Sequence, residues 1–155
     1  GLPLDEFFFF FYLEMMVAHI RRLSQQQGAG EIRIGSRLPN TRSALAVAEY
    51  AREHGRLHEL KEAAMNGYWR EALDLENEGD LREVLNRAGL DQKEALAARN
   101  DTRLLKKVDD LREEAKAAGV TGIPTFFFGD GPALVGAKPY EELSLASEEA
   151  GARRR

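Results

Sequence analysis

Apolar positions along the chain change period several times, and each change marks an element. Asp5 to Tyr12 carries aromatic side chains at consecutive positions, which suits a central strand covered from two sides and predicts a buried strand. From Leu13 to Gln27 the apolar residues Met16, Val17, Ile20 and Leu23 recur at three- and four-residue steps until Gly28-Ala29-Gly30 stops them. That spacing predicts a helix with a glycine end. Glu31-Ile32-Arg33-Ile34 alternates with period two, so the opening unit reads as strand, helix, strand, a parallel βαβ with a right-handed crossover.

The middle of the chain reads as helical throughout. Asn40 after Pro39 is a good N-cap, and Ala44, Leu45, Ala48 and Ala51 form a stripe that ends at His54 and Gly55. A second helix follows through Leu57, Leu60, Ala64 and Tyr68. Asp80 with Glu83, and Asp91 with Glu94, have the spacing of capping boxes, and Gly89 between them fits a helix C-terminus. Leu104, Leu105, Val108, Leu111 and Ala115 share one face of a longer helix that closes at Ala118-Gly119. Beyond it, Ile123 to Phe128 and Leu134 to Gly136 flank Gly129-Asp130-Gly131-Pro132, the pattern of a β-hairpin. A last helix is expected from Pro139 to about Ala150.

Composition narrows the function classes. With 22 basic and 26 acidic residues the net charge is -4, and the charges are spread along helices instead of gathered in a basic stripe, which argues against a nucleic-acid partner. The run Phe7 to Leu13 is far shorter than the roughly 20 residues a membrane helix needs. Asp5 and Glu6 stand where an export signal carries basic residues. No membrane association is expected, and the cytoplasm is the expected compartment. The 155 residues contain no cysteine, which removes disulfides, thiolate metal sites and a cysteine nucleophile together. His54 and His58 have the spacing of helical metal ligands, but Gly55 interrupts the helix between them, and His54 is read as a charge at a helix C-terminus. No metal site is expected.

Gly119-Val120-Thr121-Gly122-Ile123-Pro124-Thr125-Phe126-Phe127, followed by Val135-Gly136-Ala137-Lys138-Pro139, resembles the segment around the cis-proline of DsbA-family proteins, especially the FrnE-like branch. Asn40-Thr41, Ala51 through Gly55, Tyr68-Trp69 and Gly89-Leu90-Asp91 fall in the order and approximate spacing of that branch, so the resemblance spans roughly residues 39 to 143. It implies an α/β, thioredoxin-like fold: an N-terminal βαβ half over residues 1–37, a helical insertion over 38–100, and over 101–155 a helix, cis-Pro loop, hairpin and last helix. It also implies a cis Ile123–Pro124 bond, with Ile123, Pro124 and Thr125 as a platform for an extended protein or peptide, or for glutathione. No bound cofactor is implied, apart from glutathione as a possible co-substrate. A cis X–Pro bond turns the chain sharply and has no N–H of its own, which leaves the backbone of the preceding residue open to a partner strand.

The family activity is thiol–disulfide exchange, carried by a Cys-x-x-Cys at the N-terminus of the first helix, where the helix dipole stabilises a thiolate. Aligning Tyr12-Leu13 with the aromatic-leucine pair that follows those cysteines puts them at Phe8 and Phe11, opposite Pro124. Neither phenylalanine is itself catalytic. The serine of the related kappa-class glutathione transferases and 2-hydroxychromene-2-carboxylate isomerases is missing as well, since the first serine is Ser24. Two readings follow: a DsbA-like oxidoreductase family protein lacking its cysteine pair, and a redox-inactive module that keeps the peptide groove. A glutathione-dependent isomerase or transferase is a third. Five consecutive phenylalanines at the expected active-site position, and only five residues between Ile34 and Asn40 where the family has several tens, point to an incompletely determined or joined sequence. Intact mass and a thiol titration under denaturant test this: a mass away from 17.4 kDa with titratable thiol supports it, and a matching mass without thiol overturns it and leaves the cysteine-free readings.

Overall fold

The computed structural model describes residues 2–3, 10–26, 28, 30–35 and 37–153, with the backbone alone at 2–3 and 10–14. These residues fall into two compact units, 1–109 and 110–155.

The first unit opens with β1 (Leu2–Pro3), paired antiparallel with β2 (Arg37–Leu38) in the register Leu2↔Leu38 and Pro3↔Arg37. Between them runs α1 (Phe10–Gln26). Two expectations are corrected here. Phe10, Phe11 and Tyr12 belong to a helix and not to a strand, because the stripe of Met16, Val17 and Ile20 continues backward through Leu13 and Phe10 at helical steps. Residues 4–9, including the rest of the expected strand, lie outside the described residues. Glu31 to Ile34 forms no strand either: the Arg33 N–H donates to the carbonyl of Trp69 at 2.8 Å, so this segment is tied to the end of a helix instead of to a sheet. The parallel crossover is therefore replaced by an antiparallel pair.

Five short helical elements follow: α2 (Arg42–Glu53), α3 (Leu57–Glu71), α4 (Glu78–Arg87), α5 (Gln92–Ala97) and a 3₁₀ turn, Ala98–Asn100. Local hydrogen bonds explain their boundaries. The Asn40 side-chain oxygen accepts from Arg42 N at 3.1 Å, although the helix starts one residue later than the N-cap expectation, after Thr41. Asp91 accepts from Glu94 N at 2.9 Å, and Gly89 takes the left-handed conformation (φ 66°) just after α4. The N-cap of α4 is Asn77, which accepts from Gly79 N and Asp80 N at 2.8 and 3.2 Å. Asp80, the expected cap, sits inside the first turn, and its carboxylate accepts from Asp74 N at 2.7 Å.

The core of this unit is built from Ala46, Val47 and Ala51 of α2, Leu60 and Ala63 of α3, and Leu81, Val84 and Leu85 of α4; Ala88, Leu90, Ala95, Ala98 and Leu104 complete it. Six of these thirteen are alanines, so the helices approach closely. Gly67 of α3 sits in such a contact: a Cβ there would lie 3.6 Å from Val84 Cγ2 of α4, and 2.8 Å from Leu73 Cδ1 in the turn that follows α3. Arg87 on α4 clamps α3 from outside, donating to both oxygens of Glu71 at 2.6 and 2.8 Å and to Glu83 at 3.0 Å.

The last long helix, α6 (Thr102–Ala117), starts in the first unit and ends in the second. Asp101 caps it through Arg103 N at 2.8 Å. Of the five residues expected on its buried face, only Leu104 is buried, while Leu111 is 43% exposed. In the second unit, β3 (Thr125–Phe126) and β4 (Leu134–Val135) pair antiparallel, as Thr125↔Val135 and Phe126↔Leu134, and α7 (Tyr140–Glu149) follows Pro139. Among the described residues none from 110 onward is fully buried, and in the whole structure no described helix is long and apolar enough to cross a membrane.

Ala72, at the C-terminus of α3, is the one described non-glycine residue with positive φ (60°). An alanine held left-handed costs roughly 1–2 kcal/mol. Glycine relieves that and loses about 0.4–1 kcal/mol through unfolded-chain entropy. Ala72→Gly is therefore expected to raise the melting temperature slightly, by about 1–4 °C, and calorimetry showing a fall would contradict the assignment of this residue as a strained cap.

Candidate cis-proline site

The site is set up by the way α6 ends. Gly119 takes φ 78°, its N–H donates to Lys116 O at 2.9 Å, and Val120 N donates to Ala115 O at 3.0 Å. These are the two bonds of a Schellman turn, and they point the chain away from the helix into Thr121 and Gly122. Thr125 Oγ1 then reaches back to donate to Gly122 O at 2.6 Å, closing a small loop around Ile123 and Pro124. The Ile123–Pro124 peptide bond inside that loop is cis.

The loop is tied to the hairpin at two further points. Gly136, in the left-handed conformation (φ 89°), donates its N–H to Pro124 O at 2.8 Å, one step beyond the Thr125↔Val135 pair. Gly122 lies against Val135, where a Cβ would stand 3.2 Å from Cγ1. These two glycines and Val135 complete the candidate site beside Ile123, Pro124 and Thr125. The sequence carried a partial signal for them, since a glycine within a strand pattern marks close approach of backbone.

The consequence for Ile123 is that its side chain stands 89% exposed and, among the described residues, no backbone group pairs with its N–H or C=O. The hairpin itself has two apolar faces. Phe126, Phe128 and Leu134 belong to one, and the rings of Phe126 and Phe128 stack at 6.5 Å with 16° between planes. Tyr140 and Leu143 of α7 line a groove with those two rings. Phe127 and Val135 belong to the other face and are 54% and 41% exposed. Charge is peripheral: Asp130 is in the turn, and Lys138 is held by Glu142 at 3.4 Å. The loop can offer backbone hydrogen bonds and apolar contact, and the Thr125 hydroxyl is engaged by Gly122 O.

Of the sequence-derived site residues, Ile123, Pro124 and Thr125 are adjacent in the second unit. Phe11 lies in the first turn of α1, in the first unit, and Phe8 falls outside the described residues. His54 follows α2 with Nδ1 2.8 Å from Tyr50 O, a helix-end contact. No grouping of three or more metal-ligating side chains occurs among the described residues.

A helix closed by a Schellman turn, a cis-proline opening the first strand of an antiparallel hairpin, and a helix after it define the C-terminal half of a thioredoxin-like protein of the α/β class. The match to known families is more specific. Residues 11–147 fit the DSBA-like thioredoxin domain, and the chain belongs to that family. No curated protein matches it significantly.

Gly122→Ala tests the packing of the loop. The added methyl must displace Val135 by a few tenths of an ångström, and overpacking of this kind typically costs about 1 kcal/mol or more. Hydrogen exchange should show the Gly136 amide losing protection in this variant, and an unchanged amide would mean that Gly122 does not brace the hairpin.

Proposed function

We propose that this chain uses the DSBA-like scaffold as a redox-inactive peptide-binding module, holding an extended segment of another protein along the edge at Ile123, Pro124 and Thr125. The observation that carries the reading is Ile123, with its side chain 89% exposed and its backbone unpaired among the described residues. An extended strand adds to such an edge through main-chain hydrogen bonds, and Ile123, Phe127 and Val135 offer apolar contact to alternate side chains of the client. Glutathione, itself a short extended peptide, fits the same edge. The absence of cysteine from the chain removes the thiol step and leaves the binding step. A soluble cytoplasmic protein that uses neither nucleic acid nor membrane accords with its mixed charge.

Family membership favours a second reading, thiol–disulfide oxidoreductase activity, which requires cysteines where Phe8 and Phe11 stand. The FrnE-like branch is the best placement within the family on the spacing of Asn40-Thr41, Tyr68-Trp69 and Gly89-Leu90-Asp91. The kappa-type isomerase or transferase reading is weaker, because no serine stands at the start of α1.

Two measurements on protein of confirmed cysteine-free mass separate these readings. Insulin reduction by dithiothreitol should proceed no faster with the protein than without it, and turnover would overturn the redox-inactive reading. In ¹⁵N-labelled protein titrated with a carboxymethylated unfolded polypeptide, the Ile123 and Thr125 amides should shift. Shifts confined to the helices α2 to α5 would overturn the binding edge.

A further inference from the structure

The first half of α6 is attached to the helical core in an unusual way. Leu104 is its only buried side chain, against four buried positions on α2 and three on α4. What accompanies that leucine is a ladder of ion pairs to α2, running in opposite directions along the two helices. Arg42 donates to Asp109 at 3.0 and 2.6 Å, Glu49 meets Lys107 Nζ at 2.8 Å, and Glu53 receives both nitrogens of Arg103 at 2.5 and 2.9 Å. Every rung contains one carboxylate. The middle rung differs from the others because Glu49 is only 5% exposed and is also held by Arg52 at 3.2 Å.

From this arrangement we infer that the ladder is an acid-labile clasp: protonation of Glu49, Glu53 and Asp109 frees the first half of α6 from α2 while α3, α4 and α5 stay packed. The selectivity comes from the balance of forces on each helix. Helices α3 to α5 share Leu60, Ala63, Leu81, Val84, Leu85 and Ala95 in an interface that pH does not touch, so losing the Glu71–Arg87 pair on their surface leaves them seated. α6 has one fully buried leucine, Leu104, a partly buried Leu105 packed against the core, and three carboxylate-dependent rungs. Exposed pairs contribute little each, so Glu49, whose carboxylate is out of water, dominates the clasp.

The direction of the pH effect follows from the groups around each carboxylate. Burial pushes the Glu49 carboxyl up, but hydrogen bonds and charge from Lys107 and Arg52 outweigh it and hold the group below its ordinary value. The Arg103 hydrogen bonds hold Glu53 below its ordinary value against slight desolvation, with Lys107 and His54 adding positive field. Asp109 faces Arg42, Asp101 lies 3.7 Å from Arg103, and the carboxylate of α5 that reaches α2, Glu94, is engaged by the Tyr50 hydroxyl at 2.9 Å. A carboxylate with a lowered folded pKa stabilises fully above its unfolded value, and the stabilisation is lost as pH falls through the folded value. The clasp therefore holds at neutral pH and opens as pH falls below the ordinary carboxylate range, through the lowered values of Glu49 and Glu53.

Hydrogen exchange of the full chain, followed by mass spectrometry and corrected for intrinsic rate, reads this out. Between about pH 6 and pH 3.5, amides 105–109 should lose about tenfold or more in protection while those of α4 keep theirs. The double variant Glu53→Gln/Asp109→Asn spares the buried rung, so the fold is retained. Its α6 amides should already be less protected at neutral pH and should fall less on acidification, and about 1 M salt should mimic part of that effect in the parent. If α6 loses protection only together with α4, or if the double variant matches the parent at every pH, the clasp is overturned.

Discussion

Close approach of helices through alanine is the constraint on which the first unit rests. Ala46, Ala51, Ala63, Ala88, Ala95 and Ala98 are all buried and leave the larger volumes to Val47, Val84, Leu85 and Leu104. Small residues bring backbones together but supply little apolar area each, so the position of every helix is fixed as much by its ends as by its face. That is why the caps at Asn77, Asp91 and Asp101 and the outer clamp of Arg87 matter here: they settle where short helices begin and how they cross. It also explains why α6, which reaches this core with a buried Leu104 and a partly buried Leu105, relies on charge for much of its attachment.

What the sequence made legible was local. The Asp91 cap, the glycine ends at Gly89 and Gly119, and the hairpin around Gly129-Asp130-Gly131 each depend on residues within a few positions of one another, and the structure has them. The failures came where a distant partner decided the outcome. Glu31 to Ile34 alternates like a strand, yet its backbone is claimed by Trp69, which no pattern in that segment announces. Asp80 looked like a cap until Asp74 took its carboxylate and Asn77 took the helix N-terminus. For the candidate site, Ile123, Pro124 and Thr125 were readable from resemblance, and the bracing by Gly122 and Gly136 only from coordinates. The Glu49–Lys107 rung joins two helices far apart in the chain and left no trace in either stripe.

Membership of the DSBA-like thioredoxin family and the absence of a thiol are compatible once the chemistry that the resemblance implies is separated into its parts. One part is a nucleophile at a helix N-terminus, and a chain without cysteine does not have it. The other is an exposed backbone edge before a proline, and this chain keeps it, together with the threonine and glycine hydrogen bonds that hold its shape. The second part is a matter of geometry and survives loss of the first, as functions carried by sites on a shared fold can be lost piecemeal.

The exposure of Ile123 in a chain with no sulfhydryl has a practical side. A single cysteine introduced at an outward-facing position is the only reactive thiol in the molecule, so maleimide chemistry would place a fluorophore or spin label there without background and without removing any native residue from the core. The helices α2 to α5, packed on one another through their shared core, offer a second labelling position. Distances between two such labels would report directly on how the residues that follow α6 are carried in solution.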